Sequence, residues 1–286
     1  MRLHQRLAHR RLKSLIADAF SLLLVVGTLG FDFSHTANAD GGDSMTQTAK
    51  VAQSIQSKLH AMVQVPLSFF FFNYSDTTDI YTQAQFQLAP IVPFLIDADH
   101  AIVLNPMISD SINAQNQQTT SQVTPLQLAT FYAPKGTDYV YGIGPFIQMP
   151  TANPSGGSQQ TGLGVSYGGF YEPKHWVIGG LAYNAWGVGS NRSAGTANVY
   201  FFNPLISYTS DNAWSYILQS WINGNPTNGQ SHNSNQLILS LGKTHKINKS
   251  HLQWQIGPSY MVTPTPTSPQ GWGGFFSLTL AFDEYE

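Results

Sequence analysis

The chain has 286 residues, of which 13% are aromatic and only 10% charged, where soluble domains carry roughly 25% charge. Mean hydropathy is a modest -0.13, and past the N-terminus no run approaches the ~18 apolar residues of a spanning helix. A helical membrane protein is thereby excluded, and without a basic stripe nucleic acid is not an expected partner.

Residues 1–39 read as a secretory signal peptide. Arg2, Arg6, Arg10, Arg11 and Lys13 form a basic start, Ala19 to Gly30 an apolar run too short to span a bilayer, and Ala37-Asn38-Ala39 an A-x-A cleavage site. Cleavage after Ala39 would remove five basic and two acidic residues, leaving a formal charge of about -5 by the same count. With no cysteine there is no disulfide framework and no thiolate metal site.

Residues 40–64 form an N-terminal segment. Within it the spacing predicts a helix from Lys50 to about Val63, with Val51, Ile55, Leu59 and Met62 on one stripe. That stripe needs burial, so contact with the rest of the protein, and restriction of any pore, is expected.

From residue 65 to 286 only strands and turns are predicted. The segments are 65–74, 81–95, 100–109, 122–132, 139–149, 161–171, 176–187, 197–208, 213–223, 235–244, 250–261 and 272–282, twelve in all. In "TQAQFQL", Gln83, Gln85 and Gln87 alternate with Ala84, Phe86 and Leu88; a period of two marks a strand with one polar and one apolar face. "QLILSLG", "LQWQIG" and "FSLTLAF" repeat the pattern. Strands of this length match the roughly 9–11 residues needed to cross a membrane at a tilt. Connections alternate between short ones, such as "DAD" near Asp97, and long ones, such as "DSINAQNQQTTS" at 110–121. Short turns at one end and long loops at the other are the arrangement of an outer-membrane barrel. The fold class read from the residues is therefore all-β: an antiparallel transmembrane barrel of about twelve strands with a short N-terminal α-helix. Its apolar face would meet outer-membrane lipid and its amides a polar lumen. Pro90, Pro106, Pro145, Pro204 and Pro258 fall inside proposed strands, where each removes a ladder donor.

The segments "VQVPLSFFF", "FQLAPIVPF", "LATFYAPK", "YVYGIGPFIQMPTA", "ANVYFFNPLISYT" and "GWGGFFSLTLAF" resemble, in order and spacing, a bacterial family of outer-membrane proteins labelled transporters and often mislabelled neuromedin U. They are also similar to the relatives linked with phenol-degradation pathways. The resemblance covers roughly Lys50 to Phe282 and implies an outer-membrane barrel that transports solutes. It supplies no catalytic residues. The chain departs from the usual terminal aromatic, because "DEYE" follows Phe282.

One constellation points elsewhere. His232-Asn233-Ser234-Asn235 looks like part of the signature of the outer-membrane phospholipase, in which His activates Ser as acyl nucleophile. Gln236 and Leu237 replace the glycine and arginine that follow there. The nine histidines show no metal-ligand spacing. Trp176, Trp186, Trp214 and Trp272 lie near predicted strand ends, where interfacial aromatic girdles belong. The expected function is passage of small solutes, uncharged or aromatic, with no cofactor and no catalysis. Gln83, Gln85, Gln87, Gln148, Gln219, Gln253, Gln255, Ser277 and Thr279 are the candidate lumen lining. A barrel enzyme using His232 and Ser234 and a sealed structural barrel are the alternatives. Oligomeric state is not legible.

Overall fold

The computed structural model describes residues 45–75, 80–115, 118–134, 139–150, 161–188, 198–224, 233–264 and 269–282. Helix α1 (Gln47–Ser57) precedes β1 (Val63–Ser75), β2 (Ile80–Leu88), β3 (Val92–Leu95), β4 (His100–Gln115) and β5 (Gln118–Val123). Then follow β6 (Leu126–Pro134), β7 (Tyr139–Met149), β8 (Thr161–Tyr171), β9 (Trp176–Val188) and β10 (Val199–Thr209). The last four are β11 (Trp214–Gly224), β12 (Ser234–Ile247), β13 (Ser250–Thr263) and β14 (Gly271–Phe282). Among the described residues these fourteen segments make twelve staves. The pair β2 and β3 forms one interrupted stave beside β4, and β5 with β6 forms another on β4's other side. Every neighbour pairs antiparallel, and β1 pairs with β14, so the sheet closes and leaves no edge. Closure is what lets a sheet stand in hydrocarbon, since each unpaired backbone group there would cost several kcal/mol.

The period of two sorts side chains between the two faces. Ile143, Tyr167, Leu239 and Ile256 stand exposed on the outside, a band that water would not tolerate and lipid favours. Trp176 and Trp186 bound that band along β9. Ten residues at ~3.3 Å, tilted as barrel strands are, give a height of ~25 Å, the thickness of an outer-membrane apolar belt. Trp214 lies at the same rim as Trp176, and Trp272 at the opposite rim, where it packs on Tyr260 with ring centroids 5.0 Å apart.

The wall prolines are accommodated by side chains that stand in for the missing N–H. Pro204 interrupts the ladder to β11 between Phe202↔Ile222 and Leu205↔Gln219, and Asn203 Nδ2 donates instead to the Ser220 carbonyl at 3.0 Å. Pro145 interrupts the ladder to β6, and Ser166 Oγ donates to the Thr130 carbonyl at 2.6 Å. The registers on either side set Pro90 opposite Pro106; there Asn105 Nδ2 donates to the Ala89 and Pro90 carbonyls at 3.1 and 2.9 Å. This missing donor splits β2 from β3, while Ile91 recovers pairing with Gln64 through bonds of 2.8 and 3.0 Å. Asn203→Leu should therefore cost ~1–3 kcal/mol, the penalty of an unsatisfied buried carbonyl. Asn203→Leu combined with Pro204→Ala should recover part of that by restoring a backbone donor. Denaturant unfolding from lipid vesicles checks both; equal losses would show that the amide does not substitute for the ladder.

Two sequence expectations need correction. The "DSINAQNQQTTS" stretch is paired structure: β4 continues to Gln115, and β5 returns from Gln118 in register from Asp110↔Val123 to Gln115↔Gln118. Strand pairing here comes without apolar alternation, as expected of a stave that extends past the apolar belt. The helix spans Gln47–Ser57 rather than 50–63. Thr46 caps its start, and Lys58, in the left-handed region at φ 58, ends it. Leu59 and Met62 therefore follow the helix instead of riding on it.

Candidate functional site

The helix sits inside the barrel at the short-turn end. Ala49 and Ala52, without exposure, pack on Ala213 of the turn before β11; small side chains allow that close approach. Thr46 Oγ1 accepts from Ala49 N at 3.2 Å and donates to the Asp211 carbonyl at 2.8 Å. Gln53 Nε2 donates to the Trp176 carbonyl at 3.1 Å, and Gln56 Nε2 to Gln253 Oε1 at 2.9 Å. The predicted stripe is inward-packed but divided. Val51, Ile55 and Met62 meet Ala281, whereas Leu59 joins the large interior cluster with Ile91, Val103 and Phe131. Past the helix, His60 Nε2 reaches the Glu172 carboxylate at 2.8 and 3.0 Å.

Above the helix lies a cavity with about 950 Å³ of unfilled space, counting the part open to solvent. Its floor is Ile55, Gln56 and Lys58. An aromatic arc covers one side of the bore at a single height, seven residues along β7, β9, β11 and β1. Phe146 stacks on Tyr183 (4.3 Å, 10°), which stacks on Phe201 (4.7 Å, 19°). Phe201 meets Trp221 edge-on at 6.2 Å. Trp221 then meets Phe70 at 4.8 Å and Phe70 meets Phe275 at 5.1 Å. Because β11 and β1 are not neighbours, the Trp221–Phe70 contact is a chord across the lumen. With Phe72, Ile238 and Met261 it fills the lobe bounded by β11 to β14. Sequence reasoning missed this arc. Tyr183, Phe201 and Trp221 share the odd parity of Gln219 and Asn203, which was a signal available in principle.

The candidate lining residues all lie on the interior face, in two environments. Gln83, Gln85 and Gln87 remain part-exposed along β2, with Ser68 beside them on β1. Gln148 (2% exposed), Gln219 (7%) and Gln253 (0%) are sequestered, as are Gln255, Ser277 and Thr279. Gln148 accepts from Gln127, which in turn accepts from Tyr183 Oη at 3.0 Å. Gln253 Oε1 accepts from Gln255 Nε2 at 2.6 Å as well as from Gln56. Gln87, Gln219, Gln255, Ser277 and Thr279 border the cavity. His232 and the cleavage site at Ala39 lie outside the described residues, and Ser234 opens β12 opposite Asn223.

Lys58 is the one charged residue among those bordering the cavity. Its Nζ donates to Asn203 Oδ1 at 3.4 Å, and removal from water lowers its ammonium to about 8. The Asn203 amide is fixed with its oxygen toward Lys58, since its nitrogen donates to Gln219 Oε1 at 3.3 Å and to the Ser220 carbonyl.

Neither a protein-family model nor a curated sequence matches the chain. Among solved structures, the chain is similar to an outer-membrane channel from Pseudomonas putida, with TM-score 0.57 and 12% identity over 78% of this chain and 96% of that one. The NanC porin aligns at TM-score 0.43 and 12% identity, covering 77% of this chain and 99% of its own. Outer-membrane phospholipase A from Escherichia coli aligns at 0.39 and 9%, covering 77% and 90%. The first likeness shows the shared barrel architecture; the other two superpose too loosely to carry an argument.

Proposed function

We propose that the protein is an outer-membrane channel for small uncharged or aromatic solutes, exported by cleavage after Ala39, and of the transporter family its segments resemble. The observation that carries this reading is the asymmetry of the interior. The Trp221–Phe70 chord and its cluster close part of the bore toward β11 to β14, while the β2 glutamines keep part of their surface free. Solutes would move along the β1, β2 and β4 side, exchanging water for amides that offer both donors and acceptors. The interior face of the described strands carries no Asp or Glu, so strong cation selectivity has no source there. The helix would narrow the periplasmic mouth. Proteoliposomes containing the protein should swell in isotonic solutions of small neutral solutes, at rates falling steeply with solute size. Swelling no faster than in protein-free liposomes would favour a sealed barrel instead.

A further inference from the structure

Lys58 is placed at a cost that packing alone does not explain. A helix terminus in the left-handed conformation ordinarily takes glycine, which has no Cβ to strain. Here a lysine occupies it, at φ 58. Its ammonium is then desolvated over a cavity whose other bordering residues are uncharged. Among the described residues, one of its three donors is used, on an amide oxygen at 3.4 Å. The nearby Glu172 carboxylate, in the turns at this end of the barrel, is paired with His60, and none of the described carboxylates borders the cavity. A half-buried cation whose cavity lining offers no counter-charge is suited to receive an anion.

The cavity walls specify the rest of that anion. Phe201 and Trp221 are only partly buried and border the same space as Lys58. Ser277 and Thr279 on the facing wall border it too, and their hydroxyls suit a second anionic oxygen. We propose that this cavity is a binding site for a small aromatic carboxylate, which pairs with Lys58 and lays its ring against Phe201 and Trp221. The site would let the channel concentrate ionised aromatic acids that its uncharged walls alone would not select. This rests on the channel reading only for how the solute arrives.

The charge on Lys58 sets the pH window. Other ionisable groups on the surrounding elements are the His60–Glu172 pair, His175 and Asp211 in the turns, and Tyr183 and His251 on the interior wall; Lys243 and His245 face outward. Lys58 is protonated below about 8 and neutral above it. A carboxylate ligand should therefore bind well at neutral pH and lose its partner in mildly alkaline solution.

Trp221 provides the readout, because the other five tryptophans lie on the outer face. Full-length protein in detergent is titrated with benzoate and, in parallel, with the uncharged benzamide. Benzoate should give a saturable change in tryptophan emission that is absent in Trp221→Phe. Lys58→Gln should weaken benzoate by about tenfold or more, the worth of one charge-assisted bond, and leave benzamide unchanged. Lys58→Arg should keep most of the benzoate affinity. In the unmodified protein, moving from pH about 7 to about 9.5 should weaken benzoate but not benzamide; this arm needs no folded variant. Benzoate binding that ignores both Lys58→Gln and pH, or an affinity no greater than that for benzamide, would overturn the proposal. Swelling without benzoate binding removes the site and leaves the channel; binding without swelling does the reverse.

Discussion

Removal of residues 46–61 is expected to raise unitary conductance in planar bilayers severalfold while leaving the barrel folded. A helix with its side chains is ~10–12 Å across, and a twelve-stranded barrel is narrower than the sixteen-stranded porins that hold an open channel. With α1 lodged in one mouth, little of that end stays open. The deletion takes away no stave, because α1 pairs with none. Under the helix itself it uncovers small or polar groups, Ala213, Ala281 and the amide of Gln253, which water can satisfy at a wet mouth. The loss of Leu59 trims one side chain from the edge of the large interior cluster, whose other members stay on the wall. The part-exposed side along β2 would then connect directly to the bulk. A correctly folded deletion with unchanged conductance would place the narrowest point elsewhere, at the Trp221–Phe70 chord.

Ile256→Arg should destabilise the barrel by ~2–4 kcal/mol, as expected for a charge put into lipid near the midplane. Its neighbour Gln255→Arg should cost much less. Ile256 stands 55% exposed on the outer face in the middle of β13, whereas Gln255, 8% exposed, borders the interior cavity. The two substitutions add the same side chain one residue apart, so the difference isolates which medium each face meets. Equilibrium folding titrations in lipid vesicles measure it. Equal penalties would mean that β13 does not have lipid on one side and a polar lumen on the other.

The twelve staves were legible because the wall writes itself in a period of two. Gln83, Gln85 and Gln87 against Ala84, Phe86 and Leu88 give the phase of β2, and the alternation of short and long connections gives the count. What stayed hidden has physical causes. Residues 110–115 and 118–121 are strand without apolar alternation, as a stave that extends past the lipid needs none. The interior aromatics look like lipid-facing residues until the register shows Phe201 and Trp221 on the side of Asn203 and Gln219. The wall prolines argued against strands because a missing N–H is visible in the sequence. The Asn203, Asn105 and Ser166 donors that replace it are visible only once neighbouring staves are aligned. Lys58 carried no motif at all; its meaning comes from a cavity assembled from nine different staves.

The position of the helix in the chain constrains the order in which the molecule can be made. Its bonds run from Thr46 to Asp211 and from Gln56 to Gln253, spans of 165 and 197 residues. The surfaces it rests on belong to the second half of the sequence, so they do not exist until most staves have formed. Closing so long a loop is entropically slow and brings no reward until its far end is in place. The segment is also tethered one short step before β1, the stave that seals against β14. It must therefore enter the bore as that seam shuts or thread through the mouth afterwards. The second route would give maturation two separable phases, a conductive, plug-free cylinder first and a restricted one later; the first would make closure and plugging a single event.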